Sequence, residues 1–240
     1  MTHNRTGNAQ ELVYKTLRDS ILSLNLLPGT AISENEISLR FEVSRTPVRE
    51  AFIALSKEAL VTVVPQKGSM VSRIDFARVE QEVFLRENLE QAALKRFVKN
   101  HDASHLAELE RCIELQQQAN KDQNFELFLK YDNLFHRVFF GKQQVAWEAM
   151  ENMCGHYYRV RFLTIRLLEV VNDLVQQHKD LFQAVKQRDL KKSPALLESH
   201  LHKLDTEELM LKRLFPDYFV DSREAPPVVD FGGLSAMNTM

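Results

Sequence analysis

Two hundred and forty residues with 44% hydrophobic, 27% charged and 9% aromatic content describe an ordinary globular chain, long enough for one or two domains. Collagen-like, disordered and disulfide-scaffold classes are excluded, no apolar run approaches the roughly 20 residues of a membrane span, and the polar start Met1-Thr2-His3-Asn4-Arg5 is unlike a signal peptide, so a cytoplasmic location is expected. The net charge of −2 hides a split: residues 1–74 carry nine Lys+Arg against seven Asp+Glu, a net of +2, and the remainder 22 against 26, a net of −4, as in a small basic front end on a mildly acidic body.

Leu12, Leu17, Ile21 and Leu24 place a first helix ahead of the turn Leu27-Pro28-Gly29. A short strand at Thr30-Ala31-Ile32 follows. Ser33 is a good N-cap for a helix from Glu34 to Phe41, with Glu36 as its capping-box partner. After the turn Phe41-Glu42-Val43, Ser44 caps a second helix reaching about Glu58, with Pro47 in its first turn. Helix, tight turn and capped helix form a helix-turn-helix pattern. Strand-like Val61–Val64 and Met70–Ile74 flank Pro65-Gln66-Lys67-Gly68, a hairpin that reads as a wing.

On the second helix Val48, Ala51, Phe52 and Leu55 recur at i, i+3, i+4 and i+7, which turns Arg45, Thr46 and Arg49 outward. Arginine near the start of such a helix can donate two hydrogen bonds to guanine in the major groove, and threonine at a helix N-terminus suits phosphate. Lys67 and Gly68 at the wing tip complete the expected DNA-contacting set. Ser44-Arg45-Thr46-Pro47-Val48-Arg49-Glu50-Ala51, followed by Leu60-Val61 and Gln66-Lys67-Gly68-Ser69-Met70-Val71, resembles the winged-helix signature of the GntR family of bacterial transcription regulators. The resemblance implies that Arg45 and Arg49 read bases, Thr46 holds phosphate and Gly68 approaches the minor groove. Asn35 and Glu42 depart from the family pattern, the latter standing where a turn glycine is usual.

Between Gly68 and Pro216 the only breakers are Gly141, Gly155 and Pro194, so the rest is expected to be an antiparallel bundle of about six helices: 76–100, 103–120, 123–141, 144–166, 170–188 and 194–215. The fold class is thus mostly α, with a winged helix over 1–74, a helical domain over 75–215 and a tail over 216–240 that is poorly ordered or packs as an extended arm. Cys112 and Cys154 lack metal or redox spacing and read as buried thiols.

Phasing exposes an anomaly in the bundle. Asp132 and His136 fall in the apolar stripe Phe125, Phe128, Leu129, Phe135 and Phe139; His178 falls in the stripe Val171 to Val185; His200 shares one with Leu197 and Leu201. Four polar groups facing the core from three helices, two of them at i, i+4, suit one divalent ion, with zinc favoured and nickel, cobalt or manganese also compatible. Of the remaining histidines, His101, His105, His156 and His202 lack this phasing. The spacing is similar to the metal-binding pattern of the FCD domain in the FadR branch of the same family, and the resemblance spans about residues 9–215. It implies a metal with open positions that helps bind a small carboxylate effector. Arg86, on the stripe Val79, Val83, Ala93 and Phe97 and four residues from Glu90, and Arg161 in the fourth helix of the bundle are the candidate effector clamps.

The expected function is a dimeric, effector-controlled transcription factor on a palindromic operator, not an enzyme. A metal-dependent hydrolase or lyase fused to a DNA-binding module, and a regulator whose metal is structural or is itself the signal, are the alternatives.

Overall fold

Helix α1 (His3–Leu22) buries Val13, Leu17 and Ile21, whose four-residue spacing keeps them on one face. Leu12, expected in that stripe, is 57% exposed, because a step of five residues to Leu17 rotates it off the face. The computed structural model describes residues 3–64, 68–167, 170–202 and 208–220. Strand β1 (Ala31–Ile32), helices α2 (Glu34–Arg40) and α3 (Arg45–Lys57), and strands β2 (Val61–Val64) and β3 (Gly68–Val71) follow. The antiparallel sheet has the order β1-β3-β2, with Ala31 opposite Met70 and Val61 opposite Val71. Val48, Ala51, Phe52 and Leu55 of α3 pack on the α1 stripe.

The capping box expected at Ser33 and Glu36 does not form. Neither Ser33 nor Ser44 makes a side-chain cap hydrogen bond, and α2 starts instead with Glu34 and Glu36 in its first turn, where negative charge suits the helix dipole. Glu42 adopts the left-handed conformation (φ +54°) that explains why glycine is usual in this turn.

The remaining helices are α4 (Phe76–Asn100), α5 (Ala103–Lys121), α6 (Phe125–Phe140), α7 (Gln144–Met153), α8 (Gly155–Leu167), α9 (Val171–Lys186), α10 (Lys192–Leu201) and α11 (Glu208–Leu214). Two of the six expected helices are therefore split. The expected 194–215 helix is seen as α10 and α11, with 203–207 and the stripe residue Leu204 outside the described residues. The expected 144–166 helix breaks at Cys154, and the buried Glu82 of α4 supplies the reason: its carboxylate accepts the Tyr157 backbone N–H at 2.8 Å and so caps the start of α8. Every residue of α8 from Gly155 to Ile165 is buried, as expected of a central helix.

The described part of the tail is well packed. Ile74 N–H donates to Tyr218 O at 2.8 Å, Val220 N–H donates to Ile74 O at 2.9 Å, and the Phe219 ring stacks on Phe76 at 5.0 Å. Residues 221–240 lie outside the described residues. No helix among the described residues is long and apolar enough to cross a membrane.

Where the winged helix meets the bundle, the Asp75 N–H donates to His156 Nδ1 at 3.0 Å, so the other ring nitrogen carries the proton toward Ala59 O at 3.2 Å. Burial, then the positive charges of Arg159 and Arg78, push His156 down to about 3 from its ordinary 6.5. The folded protein thus keeps His156 neutral where the unfolded chain protonates it, so its stabilising contribution is present above pH 6.5 and is lost as pH falls toward 3. The stability difference between wild type and His156→Gln should shrink between pH 7 and pH 5, by at most about 1.4 kcal/mol per pH unit. Parallel urea titrations measure it; a difference that stays flat contradicts the neutral junction histidine.

Candidate metal centre and nucleic-acid face

Asp132 and His136 on α6, His178 on α9 and His200 on α10 come together as the phasing anticipates. Each is buried, and one potential ligand atom from each lies within 4.8 Å of all the others. His200 Nε2 is 3.2 Å from His136 Nε2 and 3.3 Å from His178 Nε2; Asp132 oxygens are 3.6 Å from His178 Nε2 and 3.8 Å from His136 Nε2.

The outer ring nitrogens decide what these inner atoms carry. His136 Nδ1 meets Glu90 Oε2 at 2.6 Å, His178 Nδ1 meets Gln116 Oε1 at 2.7 Å and His200 Nδ1 meets Gln177 Oε1 at 2.9 Å. A carboxylate oxygen only accepts, and Gln116 is oriented by donating its amide N–H to Tyr131 O at 3.2 Å. Each Nδ1 therefore holds the proton, and three Nε2 lone pairs face one another and a carboxylate. Burial pushes His178 down to about 3 and His200 well below its ordinary value, so these two imidazoles are neutral. Burial alone would raise the Asp132 carboxyl, yet Arg161, with Nη2 at 2.7 Å, and then the imidazoles hold it well below the usual carboxylate range. Beyond the Arg161 ion pair, the two buried Asp132 oxygens have no hydrogen-bond partner among the described residues.

Arg161 offsets the charge of Asp132 from one side, but the inward imidazole lone pairs gain a favourable partner only from a cation among them. The donor set, three imidazole nitrogens and one carboxylate, is that of a transition-metal site rather than a calcium site. Nitrogens bound to zinc at adjacent corners of a tetrahedron stand about 3.3–3.4 Å apart, close to the spacings around His200.

Both arginines expected at the effector site lie against this centre. Arg86 Nε donates to Glu90 Oε1 at 2.5 Å, so Glu90 joins Arg86 to His136; burial would raise Glu90, but Arg86 and His136 bring it down to about 2. Arg86 Nη1 and Nη2 are buried with no hydrogen-bond partner among the described residues, and Arg86 Cζ lies over the rings of Tyr157 and Tyr158 at 5.0 and 5.9 Å. Arg161 pairs with Asp132 and also donates to Asn133 Oδ1 at 3.5 Å.

Sequence reasoning missed the outer partners. Gln116 shares the buried α5 stripe with Leu109, Cys112 and Ile113, a signal of the kind that marked the histidines; Gln177 lies beside His178, off the stripe, and gives none. Of the other histidines, His105 completes the capping box of α5, His101 meets Val185 O at 3.0 Å, His202 lies 3.2 Å from Glu87 and His156 links the two units.

In the winged helix, Arg45, Thr46 and Arg49 are exposed on the first turns of α3, and Arg49 Nε lies 3.4 Å from Glu34 Oε1. Gly68 is exposed with φ +94° and open space around it. Lys67 falls outside the described residues.

Two family models match the chain: bacterial regulatory proteins of the gntR family over residues 9–71, and the FCD domain over residues 82–203. The HTH-type transcriptional repressor RspR of Escherichia coli K12 is 32% identical over 218 residues, covering 90% of this chain and 96% of its own length. An HTH-type regulator in an unstable DNA locus of Streptomyces ambofaciens is 34% identical over 232 residues, 95% of each chain. The fold is shared with E. coli McbR/YncC, with a TM-score of 0.72 at 20% identity over 86% of this chain and 98% of that one. Helix-turn-helix, wing and FCD-type bundle in this order place the chain in the GntR family of transcription regulators, in the branch with a C-terminal FCD domain.

Proposed function

We propose that this protein is a transcriptional repressor whose affinity for a palindromic operator is set by a small carboxylate effector bound beside a divalent metal in the helical domain. Regulators of this family, which are not enzymes, bind DNA operators and typically act as dimers; that sets aside the hydrolase or lyase alternative. The observation that carries the metal is the convergence of three unprotonated Nε2 atoms on a buried carboxylate. Asp132, His136, His178 and His200 would hold it, zinc best and nickel, cobalt or manganese next. When bound it supplies positive charge to the four donors and to an incoming carboxylate. The free Nη1 and Nη2 of Arg86 offer that carboxylate two parallel donors, and Arg161 stands on the other side of Asp132. The relative RspR, named a repressor, supports the sign of the regulation.

Residues 1–74 are the DNA-binding unit in this reading, and 75–215 the metal- and effector-binding unit. Gel-shift titration of the promoter beside its own gene with a panel of small carboxylates, with and without chelator, tests the whole. A shift that no carboxylate alters, but that chelation abolishes, would favour a structural or sensed metal instead.

Arg49→Ala should weaken operator binding by about 1–3 kcal/mol, the worth of one bidentate base contact, while thermal stability stays within about 0.5 kcal/mol of wild type. Operator affinity unchanged by the substitution would remove Arg49 from base reading. A palindromic site calls for two copies, so light scattering on the full chain at micromolar concentration should give twice 27.9 kDa; a monomer on its own and on DNA would contradict the palindrome.

A further inference from the structure

The end of the DNA-reading helix α3 is held by the start of α8. Glu58, just past α3, accepts from Tyr14 Oη and from Arg18 Nε at 2.7 Å, and Arg18 Nη2 donates to Glu151 O at 2.7 Å in the last turn of α7. The carbonyl of the next residue, Ala59, accepts a hydrogen bond from the His156 ring at 3.2 Å. The one after, Leu60, packs so tightly on Gly155 that a Cβ there would stand 2.7 Å from Leu60 Cδ2. Arg159, one turn on, donates to Ser72 O at 2.5 Å, so the segment after the wing is gripped as well.

Two residues past Arg159, Arg161 meets Asp132, and Tyr157 and Tyr158 lie under Arg86. Six residues, about 9 Å of helix, therefore separate Gly155 at the recognition-helix end from Arg161 at the candidate metal centre. From Gly155 to Ile165 α8 is packed on all sides, and close packing resists local bending.

We propose that the α7–α8 joint, through Arg18, Gly155 and His156, is the positioning element that fixes the recognition helix and carries the state of the metal and effector site to it. The inference rests on the metal reading for its input. With a cation held at Asp132, Arg161 would no longer be its sole counter-charge; a shift of Arg161 would move α8, and α8 would move Glu58, Ala59 and Leu60. The covalent route from the wing through Ile74 into α4 reaches the wing first; the joint reaches the recognition helix directly.

Hydrogen exchange on the full chain, with Zn2+ as the probe, tests it. In wild type Zn2+ slows exchange in peptides covering 125–140 and also in those covering 55–64, the latter by about fivefold or more, the lower range of coupling between sites. In Arg18→Met the slowing at 125–140 stays and that at 55–64 is lost. Gly155→Ala gives the same result, since the added methyl would meet Leu60 Cδ2 at 2.7 Å and Cγ at 3.3 Å and push that buried side chain, with Glu58 O no closer than 3.8 Å; a thermal melt checks that the fold survives. Equal slowing at 55–64 in wild type and both variants overturns the joint, as does a wild type slowed at 125–140 alone. If Zn2+ slows neither segment and metal analysis finds none bound, the metal reading fails; the joint is then judged by Arg161→Lys, which must loosen 55–64 in the wild-type background and leave it unchanged beside Gly155→Ala.

Discussion

Glu90→Leu is expected to lower stability by about 3–5 kcal/mol, the cost of leaving a buried charge without its partner. Glu90 is fully buried, and its two oxygens are spent on Arg86 Nε and His136 Nδ1. Removing the carboxylate strands the Arg86 guanidinium, whose Nη atoms already lack partners, and frees the His136 ring to turn or change tautomer. The two losses are separable. In Arg86→Leu/Glu90→Leu the stranded charge is gone, so stability should return to within about 1 kcal/mol of wild type, since apolar replacements of a buried pair are often neutral. His136 still lacks its acceptor, so affinity for Zn2+ should remain about 10–100-fold low in both variants, the usual effect of losing the group that orients a ligand imidazole. Urea unfolding and competition with a chelator measure the two. Wild-type metal affinity in the double variant would reduce Glu90 to the counter-ion of Arg86.

The recognition helix was legible because Val48, Ala51, Phe52 and Leu55 repeat at helical spacing and leave the arginines no other face. The metal-site residues were legible for the opposite reason: Asp132, His136, His178 and His200 interrupt apolar stripes on three separate helices, where a polar group has to be explained. What the sequence hid depends on partners far along the chain. The break at Cys154 is set by Glu82, some seventy residues earlier, and α8 shows no useful period because it is buried all round. The double role of Glu90 was half visible, since its i+4 spacing to Arg86 predicts the ion pair but nothing local predicts His136 on α6. His156 could be read as structural, yet its contacts, Asp75 and Ala59, lie in the winged-helix half and its edge.

Removing the metal should cost the wild-type protein about 3–4 kcal/mol, the linkage energy of a ligand present at some hundred to a thousand times its Kd, or roughly 10 °C in Tm for a chain of this size. The physical source is the tautomer pattern: with each Nδ1 proton committed outward, the imidazole lone pairs face one another and a carboxylate that Arg161 pairs from one side only, and a metal cation among them gives all four a favourable partner. His178→Ala tests it, provided the right difference is taken. The substitution empties space beside Phe135, whose ring stacks on His178 at 4.4 Å, and strands Gln116, so by itself it costs about 2–5 kcal/mol whether or not metal binds. The informative quantity is therefore the change in Tm that Zn2+ produces in each protein. Wild type should gain the full increment and lose it to chelator; His178→Ala should lose most of the increment and bind less metal per chain, while nonspecific DNA affinity stays the same. A His178→Ala protein whose Tm rises with Zn2+ as much as wild type, at full occupancy, would show that the four residues do not act as one site.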